Sequence, residues 1–353
     1  MKKRNNMCTY PARVSKLCLL SFFLLFRMGS SAQPIPVDDI YQTIKNNSVF
    51  RDSVNWIKVD HLFYEGMSEA TSAEDTLQMF VVVFRIMGDV HSSIQYQGKN
   101  YNYYIGLDDS VYVRLKPDLA KMQEETGKIY AVMLDDQIAY LRIPAIYAFG
   151  AFGSEKGDVI AEALCTLLDQ YAQAVIVDLR LNSGGNMYPM ITGLSAILGN
   201  GILGSAHPGE RASADFTWLL EDGKLYFQYP DTRILLDSLS AACFESAIYL
   251  PVAVLTGPLT ASSGTATAIA LHGRKNTLFI GEPTAKGYIT GNSYYAFSPE
   301  LTMMLSTHFN ADRNGTIFTE TIMPDLMVIG ENNFDDLTND SKIKQAIQWI
   351  EQQ

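Results

Sequence analysis

Between positions 251 and 292 the chain reads PVAVLTGPLTASSGTATAIALHGRKNTLFIGEPTAKGYITGN. Two serines, Ser262 and Ser263, stand there between an apolar run and a run of small residues. A serine hydroxyl attacks a carbonyl once a base takes its proton. At the start of a helix, the unpaired N–H groups of the first turn can receive the oxyanion that forms. The same place also suits a serine that merely caps the helix, the commoner role. A second point is Gly184-Gly185, where a backbone free of Cβ can approach a ligand closely or simply make a tight turn.

These residues need elements to position them. The run 252–255 reads as a buried strand, ended by Thr256-Gly257-Pro258. Residues 265–271 are spaced as a helix packed on a sheet, and 277–280 as a second strand. Upstream, 137–143 reads as a strand, 158–171 as an amphipathic helix and 174–178 as a buried strand leading into the loop 180–185. Strand, helix, strand in that order implies right-handed crossovers and a largely parallel sheet. Residues 33–92 read as mostly helical, with apolar spacing over 37–44 and 77–87 and a stop at Gly88. His91 follows that stop, where a lone histidine is usually solvated or structural. Strands are expected at 101–104 and 111–113, and a short helix at 117–125. A hairpin turns at 221–224, a strand pair covers 294–298 and 302–306, and an amphipathic helix closes the chain over 341–353. Stretch 202–249 is otherwise irregular.

TASSGTATAIALHGRKNTLFIGEPTAKG resembles the nucleophile segment of the tail-specific (C-terminal-processing) and tricorn-core family of serine peptidases. Its companion VIVDLRLNSGG, 175–185, resembles that family's D-L-R-x-N-x-G-G strand and loop. The resemblance implies an α/β spiral core of the ClpP and crotonase type with a small N-terminal helical cap. It implies an exported serine peptidase acting on peptides or proteins without a cofactor or metal. Ser262 would be the nucleophile, with the N–H groups of Ser263 and of Gly184 or Gly185 as oxyanion hole. His91, in a D-x-H-S match, would be the base as in the tricorn-like branch. Glu320, just before the "PD" step at 324–325, would stabilise the imidazolium directly or through a hydroxyl such as Ser92. Lys286 is the alternative base, although Lys286 and Gly287 are exchanged relative to the tail-specific G-E-P-T-x-G-K. Asp178 and Arg180 would support the glycine loop without taking part in chemistry. The same fold has non-catalytic members that carry hydrophobic ligands or act as scaffolds, and 19 Tyr and 17 Phe would suit such a cleft.

The whole chain bounds these readings. With 353 residues and 47% hydrophobic positions it can bury a sizeable core. Residues 1–32 read as a signal peptide: basic residues, the short apolar core LCLLSFFLLF, then Ser30-Ser31-Ala32 before Gln33. Periplasmic or secreted localisation follows as the expectation, with a helical cap over 33–92 and a peptidase core over 93–353. The net charge of −11 argues against nucleic acid as a partner, since phosphate contacts need clustered Lys and Arg. No apolar run in the body is long enough for a membrane crossing. Of Cys165 and Cys243, which remain after such a cleavage, Cys165 lies in an apolar helical pattern where a buried free thiol is the usual role.

Overall fold

The N-terminal part is helical because its apolar residues recur at helical spacing and its starts are capped. Helix α1 (Val37–Asn47) buries Ile40, Tyr41 and Ile44. Helix α2 (Trp56–Glu69) begins where Asn55 accepts from the Lys58 amide, and its Phe63 ring stacks on Tyr41 at 3.9 Å. Helix α3 (Ala73–Met87) is capped by Ser72 and ends at Gly88, which takes the left-handed conformation with φ 72°. The Asp89 amide then donates back to Phe84 O at 2.9 Å. That closure ends the helix in a fixed direction and delivers the segment 89–92 to the core. Structure is described for residues 35–241 and 247–353 of a computed structural model, in which Pro36–Gln353 form one compact unit. The expected signal segment 1–32 and Cys243 lie outside the described residues.

Two short strands, β1 (Ser93–Tyr96) and β2 (Lys99–Asn102), form a hairpin. Helix α4 (Asp109–Glu125) follows. The strand expected at 111–113 is therefore part of a helix. Asp108 accepts from the Ser110 amide, and that cap outweighs the β preference of two valines and a tyrosine. Strands β3 (Tyr130–Met133) and β4 (Ile138–Arg142), helix α5 (Ala151–Asp169) and strand β5 (Ala174–Asp178) come next. Cys165, half-buried on α5, is disulfide-bonded, which corrects the expected free thiol. Two short helices follow, α6 (Met187–Gly193) and α7 (Ser195–Leu198).

The stretch read as irregular contains a meander: β6 (Gly201–His207), β7 (Phe216–Glu221), β8 (Lys224–Gln228) and β9 (Arg233–Ser238). Then come β10 (Val252–Thr256), α8 (Ser263–Leu271), β11 (Thr277–Gly281), β12 (Gly291–Ser298), β13 (Leu301–Asp312), β14 (Ile317–Phe318), β15 (Leu326–Met327) and α9 (Ser341–Ile350). Among the described residues, one sheet runs β15-β11-β10-β5-β4-β3, parallel except for β3 on β4. The other runs β2-β1-β13-β6-β7-β8-β9, antiparallel, with β12 and β14 also on β13. Strands β4, β5 and β10 are buried along their whole length, as strands of a parallel sheet covered on both faces must be. The neighbours β5 and β10 end side by side, and the two glycines and two serines follow those ends. The mixed α/β fold with an N-terminal helical region is as expected from the sequence.

Candidate active site

Ser262 is the residue before the first turn of α8, and its backbone has φ 52° and ψ −119°. For a residue with a Cβ this is a strained region, and it persists only where the surroundings hold it. The Ser262 amide donates to Tyr288 O at 2.8 Å, and Thr265 Oγ1 donates to Ser262 O at 2.6 Å and to Tyr288 O at 3.0 Å. Its side chain makes no capping bond to the helix. The hydroxyl instead lies 3.0 Å from His91 Nε2. Ser263 Oγ donates to Gly185 O at 2.8 Å, so it ties the helix start to the glycine loop.

That loop comes up against the serine. Gly184 and Gly185 have φ of 121° and 107°, and a Cβ on Gly185 would stand 2.1 Å from Ile146 O. Asn182 organises the turn: its Oδ1 accepts from the Gly184 amide at 3.1 Å, and its Nδ2 donates to Ile143 O. The Gly184 N–H is thus engaged, and of the two expected glycine donors Gly185 is the one left to face an oxyanion, beside the Ser263 amide at the helix start. Beneath the loop, buried Asp178 receives Arg180 through Nε and Nη2 and accepts from Tyr140 Oη at 2.6 Å. Arg180 Nη1 also reaches Asp340 at 2.7 Å. Nearby guanidinium groups and these hydrogen bonds outweigh burial and hold the Asp178 carboxyl below the ordinary carboxylate range.

His91 is buried, 6% exposed, and its ring meets the Tyr288 ring edge-on at 5.4 Å. Burial without a touching anion pushes its pKa down to about 4, so the imidazole is neutral at pH 7. Nδ1 lies 2.9 Å from Thr290 Oγ1. Thr290 Oγ1 is 3.0 Å from Ser306 Oγ, which donates to Asp89 Oδ1 at 2.9 Å. Asp89 also accepts from the His91 and Ser92 amides and from Ser92 Oγ. Burial pushes its carboxyl up, against those donors. Asn292 Nδ2 lies 3.2 and 3.1 Å from the two ring nitrogens.

Glu320 and Lys286 are elsewhere. They pair with each other at 3.2 Å on the surface, 66% and 74% exposed. Glu320 therefore does not meet the imidazole, and Thr290 has the place expected for it. Ser92 Oγ faces Asp89 and the Ser306 amide, so it relays nothing to Glu320. The exchange of Lys286 and Gly287 has a steric cause: a Cβ at 287 would stand 2.6 Å from Val90 Cγ2, at φ 81°. Thr290, Ser306 and Asn292 were not singled out from the sequence. They are ordinary polar residues in the turn before β12, on β13 and on β12 respectively, and no local spacing marks them.

A cleft of about 450 Å³ opens from Ser262 and Ser263. Trp218 and Ala206 lie at its buried base, Phe216, Phe227 and Tyr229 on its wall, and Tyr294, 77% exposed, at its rim. Among the described residues that line it there is no Asp, Glu, Lys or Arg. No group of His, Cys, Asp and Glu among the described residues could hold a metal ion.

A serine hydroxyl at an imidazole, above free helix-start amides on a parallel α/β sheet, is an arrangement of the serine-hydrolase kind. The chain belongs to peptidase family S41, whose sequence profile matches residues 137–328. It is 25% identical over 324 residues to the nisin-resistance protein of Lactococcus lactis subsp. lactis, covering 91% of this chain and 88% of that one. In fold it is similar to a lipoprotein from Streptococcus agalactiae, with a TM-score of 0.63 at 19% identity over 90% of this chain and 95% of that one. A candidate peptidase from Parabacteroides merdae ATCC 43184 gives 0.59 at 16% identity over 89% and 95%.

Proposed function

We propose that this protein is an exported serine peptidase with a Ser262–His91 pair. The observation that carries the reading is the 3.0 Å contact between His91 Nε2 and a Ser262 hydroxyl released from capping by its own strained backbone. In the acylation step Ser262 Oγ bonds to the scissile carbonyl carbon while its proton passes to His91 Nε2. The carbonyl oxygen takes the electron pair and is met by the Gly185 and Ser263 amides. The tetrahedral intermediate collapses, the C–N bond breaks, and the amine leaves with the proton from His91. Water then repeats the sequence on the acyl-enzyme. Asp178 and Arg180 hold the loop and exchange no proton.

The aromatic, uncharged cleft beside the nucleophile suits a peptide that places an apolar side chain next to the scissile bond. Export is supported by the order of basic, apolar and small residues in 1–32 and by the disulfide of Cys165, a bond kept in oxidising compartments.

A fluorophosphonate probe followed by a peptide panel tests the reading. Wild type should be labelled at Ser262 and Ser262→Ala should not. Nisin belongs in the panel because of the relative's name. Absence of labelling together with tight binding of an apolar ligand in the cleft would instead make this a carrier of the same fold.

A further inference from the structure

Asp89 is two residues from His91, yet its carboxyl does not touch the ring. It is 1% exposed, and its partners are two backbone amides and two hydroxyls. A buried carboxylate without a cation is costly, and one retained beside an imidazole needs a reason.

The hydrogen-bond directions supply one. Asp89 Oδ1 already accepts from the His91 and Ser92 amides, which are donors only. Ser306 Oγ, at 2.9 Å, must therefore give its proton to Oδ1. Its oxygen is then free to accept from Thr290 Oγ1 at 3.0 Å. Thr290 Oγ1 in turn is left to accept from His91 Nδ1 at 2.9 Å. Thr290 Oγ1 also has Asn292 Oδ1 at 3.2 Å as an acceptor, and its shorter bond, to Ser306 Oγ, is the one that continues the file to Asp89. Ser306 and Ser92 are fully buried and Thr290 is 5% exposed, so water does not compete along the path.

Resting on the peptidase reading, we infer that Asp89 is a remote positioning residue for His91, acting through Ser306 Oγ and Thr290 Oγ1. The chain keeps the proton on Nδ1 and leaves Nε2 bare toward Ser262. When Nε2 takes the serine proton, the three aligned bonds tighten and the imidazolium faces a negative charge across two hydroxyls. No proton need leave Nδ1. The carboxylate that serves a triad directly thus acts here at two removes, and the surface acid Glu320 is not required.

The competing account is that Asp89 only closes the 89–92 turn and that the Asn292 amide sets the ring. An experiment on the complete protein with ¹⁵N-labelled histidine separates them without depending on turnover. Wild-type His91 should be the neutral Nδ1–H tautomer. Thr290→Val should move the proton toward Nε2, and Thr290→Ser should restore Nδ1–H. Asp89→Asn keeps an oxygen for the turn amides, and it should weaken the Nδ1–H preference. In phosphonylation of Ser262 by the fluorophosphonate, in which the O–P bond forms and fluoride leaves, Asp89→Asn and Thr290→Val should each cost on the order of 10²-fold, the low end for a displaced general base. Their double variant should cost no more than the worse single one, because both break one chain. An Nε2–H tautomer in wild type, or an Nδ1–H state unmoved by both variants, overturns the inference, as do additive losses. The expected tautomers with no phosphonylation of wild type would leave the chain standing and sink the peptidase reading alone.

Discussion

A Cβ on Gly184 would stand 2.8 Å from Ser262 Cβ and 3.2 Å from its Oγ. The glycine loop and the strained serine are thus in direct contact, and at φ 121° residue 184 has a backbone that L side chains rarely adopt. Gly184→Ala should lower stability by about 1–3 kcal/mol through that strain. It should also push the Ser262 hydroxyl away from His91 and lower fluorophosphonate labelling of the folded fraction by at least about 10²-fold, as misplacing a reacting group does. Thermal melts and labelling kinetics on one sample check both parts.

Base assignment is tested by four single variants. Ser262→Ala and His91→Ala should each lower kcat/KM by on the order of 10⁴-fold, the scale of losing a triad member. Lys286→Met and Glu320→Gln break only an exposed pair, worth about 1 kcal/mol or less, and should change kcat/KM by less than threefold or so. A dead Lys286→Met beside an active His91→Ala would restore the lysine mechanism.

Burial holds His91 at about 4 in the folded chain, against about 6.5 for a free histidine. The acid limb of kcat/KM should therefore fall well below pH 6.5. Stability follows with a definite sign. Below pH 6.5 the unfolded chain binds a proton at this residue that the folded chain refuses, so stability falls as pH drops from 6.5 toward 4. His91→Gln should flatten that part of the curve relative to wild type. Urea unfolding at several pH values measures the difference.

Asp178→Asn should be a folding variant. It leaves the Arg180 guanidinium buried, 1% exposed, with Asp340 as its remaining anion. Breaking one side of such a pair costs about 3–5 kcal/mol. The melting temperature should fall by many degrees, while molecules that still fold should acylate Ser262 at a rate near wild type. A stable variant that no longer acylates would show that Asp178 acts in the chemistry.

The cleft should select its substrate. A peptide with Phe or Leu beside the scissile bond should be cut on the order of 10²-fold faster than its Asp counterpart, because a carboxylate would be desolvated against Trp218 and Phe216 in a cleft whose described lining has no Lys or Arg. Ala206→Leu, which fills the buried base, should erode that preference and leave fluorophosphonate labelling unchanged.

Much of this protein is local in its chain. The strands β5 and β10 were legible because four or five consecutive apolar residues next to a breaker have few other solutions. The stop at Gly88 follows the same logic, and Ser262, Ser263, Gly184 and Gly185 were marked by motifs contained in short segments. What lay beyond reach depends on segments meeting across long separations. That Ser262 does not cap its helix is decided by bonds from Tyr288 and Thr265 that twist its backbone. Glu320 stood at the expected spacing before its proline, yet spacing along a strand end does not say which face it presents, and it pairs with Lys286 in solvent. Thr290 meets His91, and Ser306 meets Asp89, only because the fold brings residues more than 190 positions apart in the chain into one hydrogen-bonded file. The sequence by itself determined the serine-bearing helix start, the glycine loop and the parallel core, since each is a pattern of neighbours. Only the tertiary structure decided which hydroxyls stand beside the His91 ring, because a hydroxyl's partners are the donors and acceptors that folding places on either side of it.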